Sequence, residues 1–88
     1  GNANINMGGN DNVVVGDANN ALNSDENLIA GNRNVVGTDD NNVVGDDNTV
    51  STGTNNSVVG DGNTASANNT NVFGSGSSAT ADGAMAIG

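Results

Sequence analysis

A five-residue phrase, Asn41-Asn42-Val43-Val44-Gly45, recurs along this chain in near copies that close at Gly16, Gly31, Gly45, Gly60, Gly74 and Gly88. The repeat of 14–15 residues is too short for helical solenoids, whose units run to about 33 residues or more. Within the phrase, apolar and polar residues alternate with period two between Gly, Asn and Asp, which predicts short strands joined by tight corners. Cut after each repeat glycine, the 88 residues make one repeat domain of six coils: 2–16, 17–31, 32–45, 46–60, 61–74 and 75–88. The expected fold is all-β, a two-sheet parallel β-solenoid (β-roll) of six coils with 14–15 residues and two strands per coil. Composition alone points elsewhere: 20 Asn, 14 Gly and one aromatic residue read as a disordered chain, and only the periodicity overrules that reading.

Each coil holds two related halves. The second half reads Asn-x-Val-x-Gly, with Asn12, Asn27, Asn41 and Asn56 followed two residues on by Val14, Ile29, Val43 and Val58. Asn19, Asn34, Asn48 and Asn63 open the first half, followed by Ala21, Val36, Val50 and Ala65. If the aliphatic columns face inward, the asparagines do too, and each amide is expected to bond the corner backbone and the identical amide one coil away. The three longer coils carry their extra residue at one place, Gly9, Ser24 and Gly53, which marks a corner and not a strand. At about 4.8 Å per coil, six coils predict a rod of roughly 29 Å.

The neighbours of inward residues must face out. Val15, Ala30, Val44, Val59, Phe73 and Ile87 then form an apolar column from end to end, the expected contact with another copy of the chain. A second outward column on that face runs Val13, Leu28, Asn42, Ser57, Asn71, Met85. On the other face, Ile5, Asn20 and Val35 stand in one column with Thr49, Thr64 and Ser78, and Met7, Leu22 and Gly37 in another with Ser51, Ser66 and Thr80. The last three coils so offer a lattice of hydroxyls, Thr49, Ser51, Thr64, Ser66, Ser78 and Thr80, able to order water as an ice-binding face does.

The net charge of −9, with Arg33 the one basic residue, argues against nucleic acid and anionic membranes as partners. No apolar run is long enough to insert in a bilayer as a helix. Asp11, Asp25, Glu26, Asp39 and Asp40 gather at the corner before the second strand, where a hard cation such as calcium would relieve their repulsion. At the opposite corner Asp17, Asp46, Asp47 and Asp61 are expected around Arg33. Asn55-Asn56-Ser57 and Asn68-Asn69-Thr70 are glycosylation sequons on one corner. There is no His and no Cys, and no Ser has a base partner, so the sequence offers no catalytic constellation and implies no cofactor beyond that calcium.

The last coil, with Ala79-Thr80-Ala81-Asp82-Gly83-Ala84-Met85-Ala86-Ile87-Gly88, resembles the repeat of the YadA-like heads of trimeric autotransporter adhesins. The earlier coils share its period and its Val-Val-Gly ending. That resemblance implies a left-handed β-roll in which Val15, Val44, Val59, Phe73 and Ile87 point to a trimer axis. The Asn-x-Val-x-Gly phrase is similar to the ice-binding β-roll of cold-hardy grasses. The expectation is therefore an extracellular or cell-surface structural and adhesive protein, not an enzyme. It would self-assemble as a trimeric head or end-to-end fibre and bind a host or matrix surface, with ice binding as the alternative.

Overall fold

A computed structural model describes residues 4–7 and 9–88, with the side chains of Met7 and Leu22 excepted, so the outward assignment of those two and the first residues of coil 2–16 lie outside the described set. Among the described residues twelve strands follow in chain order: β1 (Ile5–Met7), β2 (Val13–Asp17), β3 (Asn20–Leu22), β4 (Leu28–Asn32), β5 (Val35–Val36), β6 (Asn42–Asp46), β7 (Thr49–Val50), β8 (Ser57–Asp61), β9 (Thr64–Ala65), β10 (Asn71–Ser75), β11 (Ser78–Ala79) and β12 (Met85–Ile87). Odd strands pair in sequence into one six-stranded sheet and even strands into another, and every pairing is parallel. This is the two-sheet β-solenoid of six coils that the repeat implies. The longest extent, 30 Å between Cα atoms, agrees with the expected rod.

The register keeps each sequence column in line. Val14, Ile29, Val43, Val58, Val72 and Ala86 succeed one another along the even sheet, and Ala21, Val36, Val50, Ala65 and Ala79 along the odd one. These two columns meet as the core. All are buried except Val14 and Ala86, which lie in the two end coils and are half-covered. Each buried Val or Ile contributes about 1.5–3 kcal/mol, so a core this thin depends heavily on the corners for the rest of its stability.

Both corners use one three-residue turn. On one side, after the repeat glycine, it reads Asp17-Ala18-Asn19, Asn32-Arg33-Asn34, Asp46-Asp47-Asn48 and Asp61-Gly62-Asn63. On the other it reads Asn10-Asp11-Asn12, Asp25-Glu26-Asn27, Asp39-Asp40-Asn41 and Thr54-Asn55-Asn56. The middle residue is left-handed in every case, with φ of 57–65° across both sets. The outer two residues bond in opposite directions along the rod. The third residue's Oδ1 accepts a backbone N–H from the next coil, as Asn34 does from Asn48 at 2.9 Å and Asn27 from Asn41 at 2.8 Å. The first residue's carboxylate or amide accepts from the coil before, as Asp39 does from Asp25 N–H at 2.8 Å and Asp46 from Asn32 N–H at 2.9 Å.

The ladder thus differs from a stack of amides bonding amides. Among the described residues one rung of that kind joins identical columns, Asn34 Nδ2 to Asn19 Oδ1 at 3.1 Å. The other described rungs run from side-chain oxygen to backbone N–H, with the Thr70 hydroxyl adding a bond to Asn56 Oδ1 at 2.6 Å, because the inward amide reaches the corner peptide before it reaches its neighbour's amide. At the glycine corner the remaining Nδ2 group clamps the coil shut: Asn19, Asn34, Asn48 and Asn63 donate to the carbonyls of Gly31, Gly45, Gly60 and Gly74 at 2.6–2.8 Å. Gly45 shows why glycine closes the coil. Its φ is +125°, and an added Cβ would run into the Gly60 carbonyl oxygen of the next coil.

The extra residues at Gly9, Ser24 and Gly53 do lie at the acid corner. Between the paired positions Val36 and Asn42 stand five residues, and between Ala21 and Leu28 six, while both flanking registers are kept. In coils 17–31 and 46–60 the wider corner loses bonds, while in coil 2–16 Asn12 Nδ2 still reaches Ser24 O at 2.7 Å. Asn27 Nδ2, Asn56 Nδ2 and Ser24 Oγ, all in longer coils, are buried without a partner, whereas in the shorter coil Asn41 Nδ2 reaches Thr38 O at 3.0 Å and Thr38 Oγ1 at 2.8 Å.

Candidate functional site

Because β2, β4, β6, β8, β10 and β12 alternate in and out, the even sheet presents its expected columns to solvent. Val15, Ala30, Val44, Val59, Phe73 and Ile87 are in register along it, and all but the half-buried Ala30 are exposed. Phe73 is 49% and Ile87 73% accessible, large values for side chains of that size in strands. The neighbouring column is apolar at its ends, Val13, Leu28 and Met85, and polar in the middle, Asn42, Ser57 and Asn71. Neither column holds a charge. A third column, Asp17, Asn32, Asp46, Asp61 and Ser75, forms an acidic rim at the glycine corner. The described surface has no pocket, so whatever this face binds meets it as a flat plane.

The hydroxyls of the odd sheet also fall where expected. Thr49, Thr64 and Ser78 are consecutive in register, and Ser51, Ser66 and Thr80 follow two residues on, with Ser51 N–H bonding Ala65 O at 3.3 Å. The same columns begin with Ile5, Asn20 and Val35, so the lattice occupies one half of the rod.

The acids resolve into two roles. Asp25 and Asp39 are corner acceptors, each turned onto a backbone N–H of the preceding coil, Asn10 for Asp25 and Asp25 for Asp39. Asp11, Glu26 and Asp40 occupy the left-handed middle position and project outward. Of these, Glu26 meets Asp40 one coil on. A hydrogen bond with Asp40, the Asp40 charge, partial desolvation and then Asp11 and Asp25 raise the Glu26 carboxyl above its ordinary value. Among the described residues no three carboxylates converge on a point that a metal ion could occupy.

At the opposite corner Arg33 pairs with Asp47 through Nε at 2.7 Å and Nη2 at 3.0 Å. The hydrogen bond to Arg33 holds the Asp47 carboxyl below its ordinary value. Asp46 and Asp61, expected around Arg33, accept the backbone N–H groups of Asn32 and Asp46, and the Asp46 charge still acts on Arg33. The sequence signal for this role was present: an Asp or Asn stands two residues before most of the ladder asparagines, at both corners. In the sequons, Asn55 is exposed, while Asn68 Oδ1 accepts the Thr54 N–H at 2.9 Å. Comparison with protein-family models, curated proteins and solved structures finds no match to this chain.

Proposed function

We propose that this chain is a structural and adhesive β-solenoid of the cell exterior that works as an assembly of copies of itself, joined through the outer face of the even sheet. One observation carries the reading: an uncharged apolar column spans all six coils and stands exposed on a flat face, where a lone rod would leave it in water. The ten carboxylates lie at the corners and leave the two central columns neutral, so a second copy meets no charge at the centre of this face. The cell-exterior placement and the adhesive role rest on the likeness of the last coil to adhesin heads. Sedimentation over a concentration series extending well above the micromolar range tests the assembly. The expected mass is a multiple of one chain, falling to one chain in Val44→Asp; a single-chain mass for the unaltered protein would end the proposal.

A second reading, ice binding by the odd sheet, is favoured by the register of Thr49, Thr64 and Ser78 with Ser51, Ser66 and Thr80. Its test is thermal hysteresis: activity lost in Thr64→Tyr supports it, and none in the unaltered protein removes it.

A further inference from the structure

We infer that two copies pair face to face through the even sheets with their rods antiparallel, related by a two-fold axis that lies in the interface along the strand direction between the third and fourth coils. This rests on the self-assembly reading above and adds its geometry. A two-fold contact is isologous, so each residue faces the residue to which the axis carries its partner. With that axis, like columns face one another and the coil order reverses: the first coil meets the sixth, the second the fifth, the third the fourth.

The residue order of the face fits this reversal. In the main column Val15 meets Ile87, Val44 meets Val59, and Ala30 meets Phe73. The smallest side chain thereby stands opposite the largest, which is how a close-packed layer fills without a void. In the second column Val13 meets Met85 and Asn42 meets Ser57, so apolar faces apolar and an amide faces a hydroxyl; Leu28 against Asn71 is the one unlike pair. Turning the axis to run along the rod gives parallel rods and the opposite result. If it runs between the two columns, each coil sets one against the other, and Asn42, Ser57 and Asn71 meet Val44, Val59 and Phe73. If it runs beneath the main column, Ala30 meets Ala30 and leaves a gap while Phe73 meets Phe73.

Size and charge set the strength of the pair. The broad face spans 30 by 20 Å between Cα atoms. That is about 600 Å², short of the roughly 800 Å² per partner of a standard stable interface, so association in the micromolar range is expected. The rim works against tighter binding, because the reversal brings Asp46 of one copy opposite Asp61 of the other.

The chain contains no cysteine, so engineered disulfides give a clean test of orientation. Ala30→Cys and Phe73→Cys would be oxidised with diamide, each alone and as an equimolar mixture, alongside Val15→Cys and Ile87→Cys treated likewise. All four positions are on the outer face, and circular dichroism confirms the fold of each. In the antiparallel pair two Ala30 positions lie about 14 Å apart along the rod and two Val15 positions about 24 Å, at about 4.8 Å per coil. Each mixture is therefore expected to cross-link at least tenfold faster than either of its variants alone. Rapid self-linking of Val15→Cys or Ala30→Cys, or a sedimentation mass of three chains, would overturn the antiparallel pair and leave self-assembly standing. A mass of one chain would overturn both.

Discussion

The glycine corner and the acid corner are built from the same turn, with a left-handed middle residue and an inward asparagine, yet they divide the work of holding the coil unequally. At the glycine corner both ends of the amide are used: Asn34 accepts from Asn48 N–H and donates to Gly45 O. At the acid corner of coil 17–31 only one end is used, and Asn27 Nδ2 is buried without a partner. The spacing from repeat glycine to amide is constant at the first corner, while the second accepts an extra residue in three coils. The contrast extends to charge. The middle residues one coil apart are Arg33 and Asp47 on one side, an ion pair, and Glu26 and Asp40 on the other, two acids. A shared turn does not guarantee a shared role; the glycine corner fixes the coil and the acid corner absorbs variation.

The sharpest way to break that contrast is to lengthen each corner. One glycine inserted between Asp46 and Asp47 shifts Asn48 off both Gly60 O and Asn63 N–H, and thermal melting should show the fold lost or nearly so. The same insertion after Thr38 makes the third coil resemble its longer neighbours; beyond the loss of the Asn41 bonds to Thr38, it should cost only about 0.5–1.5 kcal/mol by denaturant titration. Gly45→Ala should destabilise by about 3 kcal/mol or more, through the clash with Gly60 O and the positive φ. Gly37→Ala, at the start of the acid corner with open space around it, should be neutral or gain about 0.5 kcal/mol.

The amides give effects between those of Gly45→Ala and Gly37→Ala. Asn34→Ala removes the donor to Gly45 O and leaves the buried Asn48 N–H without its acceptor, about 2–4 kcal/mol, and Asn27→Ala should cost about half as much because its unpartnered Nδ2 disappears with it. The smallest effect is on pH. The Glu26 carboxyl lies above its ordinary value in the fold, so the folded state holds that proton more tightly; its contribution is full below the unfolded value near 4.5 and is lost as pH rises through the folded value. Asp47 has the opposite sign, with a contribution present above 3.8 and lost as pH falls through its lowered value. Melting temperature should therefore rise as pH is lowered from 7 toward 4.5, and Glu26→Gln should flatten that rise while Arg33→Gln leaves it in place.

The fold was legible because a period of 14–15 residues with alternation of two leaves few other structures open, and Val43, Val44 and Gly45 each stand where that alternation puts them. The outward columns followed from the same rule. The corner acids were not legible by counting charge, since Asp39 and Asp40 are adjacent in sequence but one faces a peptide N–H and the other solvent. What separates them is φ, +62° at Asp40, and a composition does not carry backbone angles. For the same reason the ion pair of Arg33 is with Asp47, while Asp46 and Asp61 turn onto backbone donors.

The turn whose first residue reaches back a coil and whose third reaches forward makes every interior coil a tenant of both neighbours. A coil in the middle cannot loosen without stripping acceptors from the coil on each side, whereas an outermost coil has only one neighbour to release. Melting should then travel inward from the tips like a rope unlaying from its cut ends, and hydrogen exchange should be slowest at Asn34 and Asn48, in the third and fourth coils, and fastest in the first and sixth.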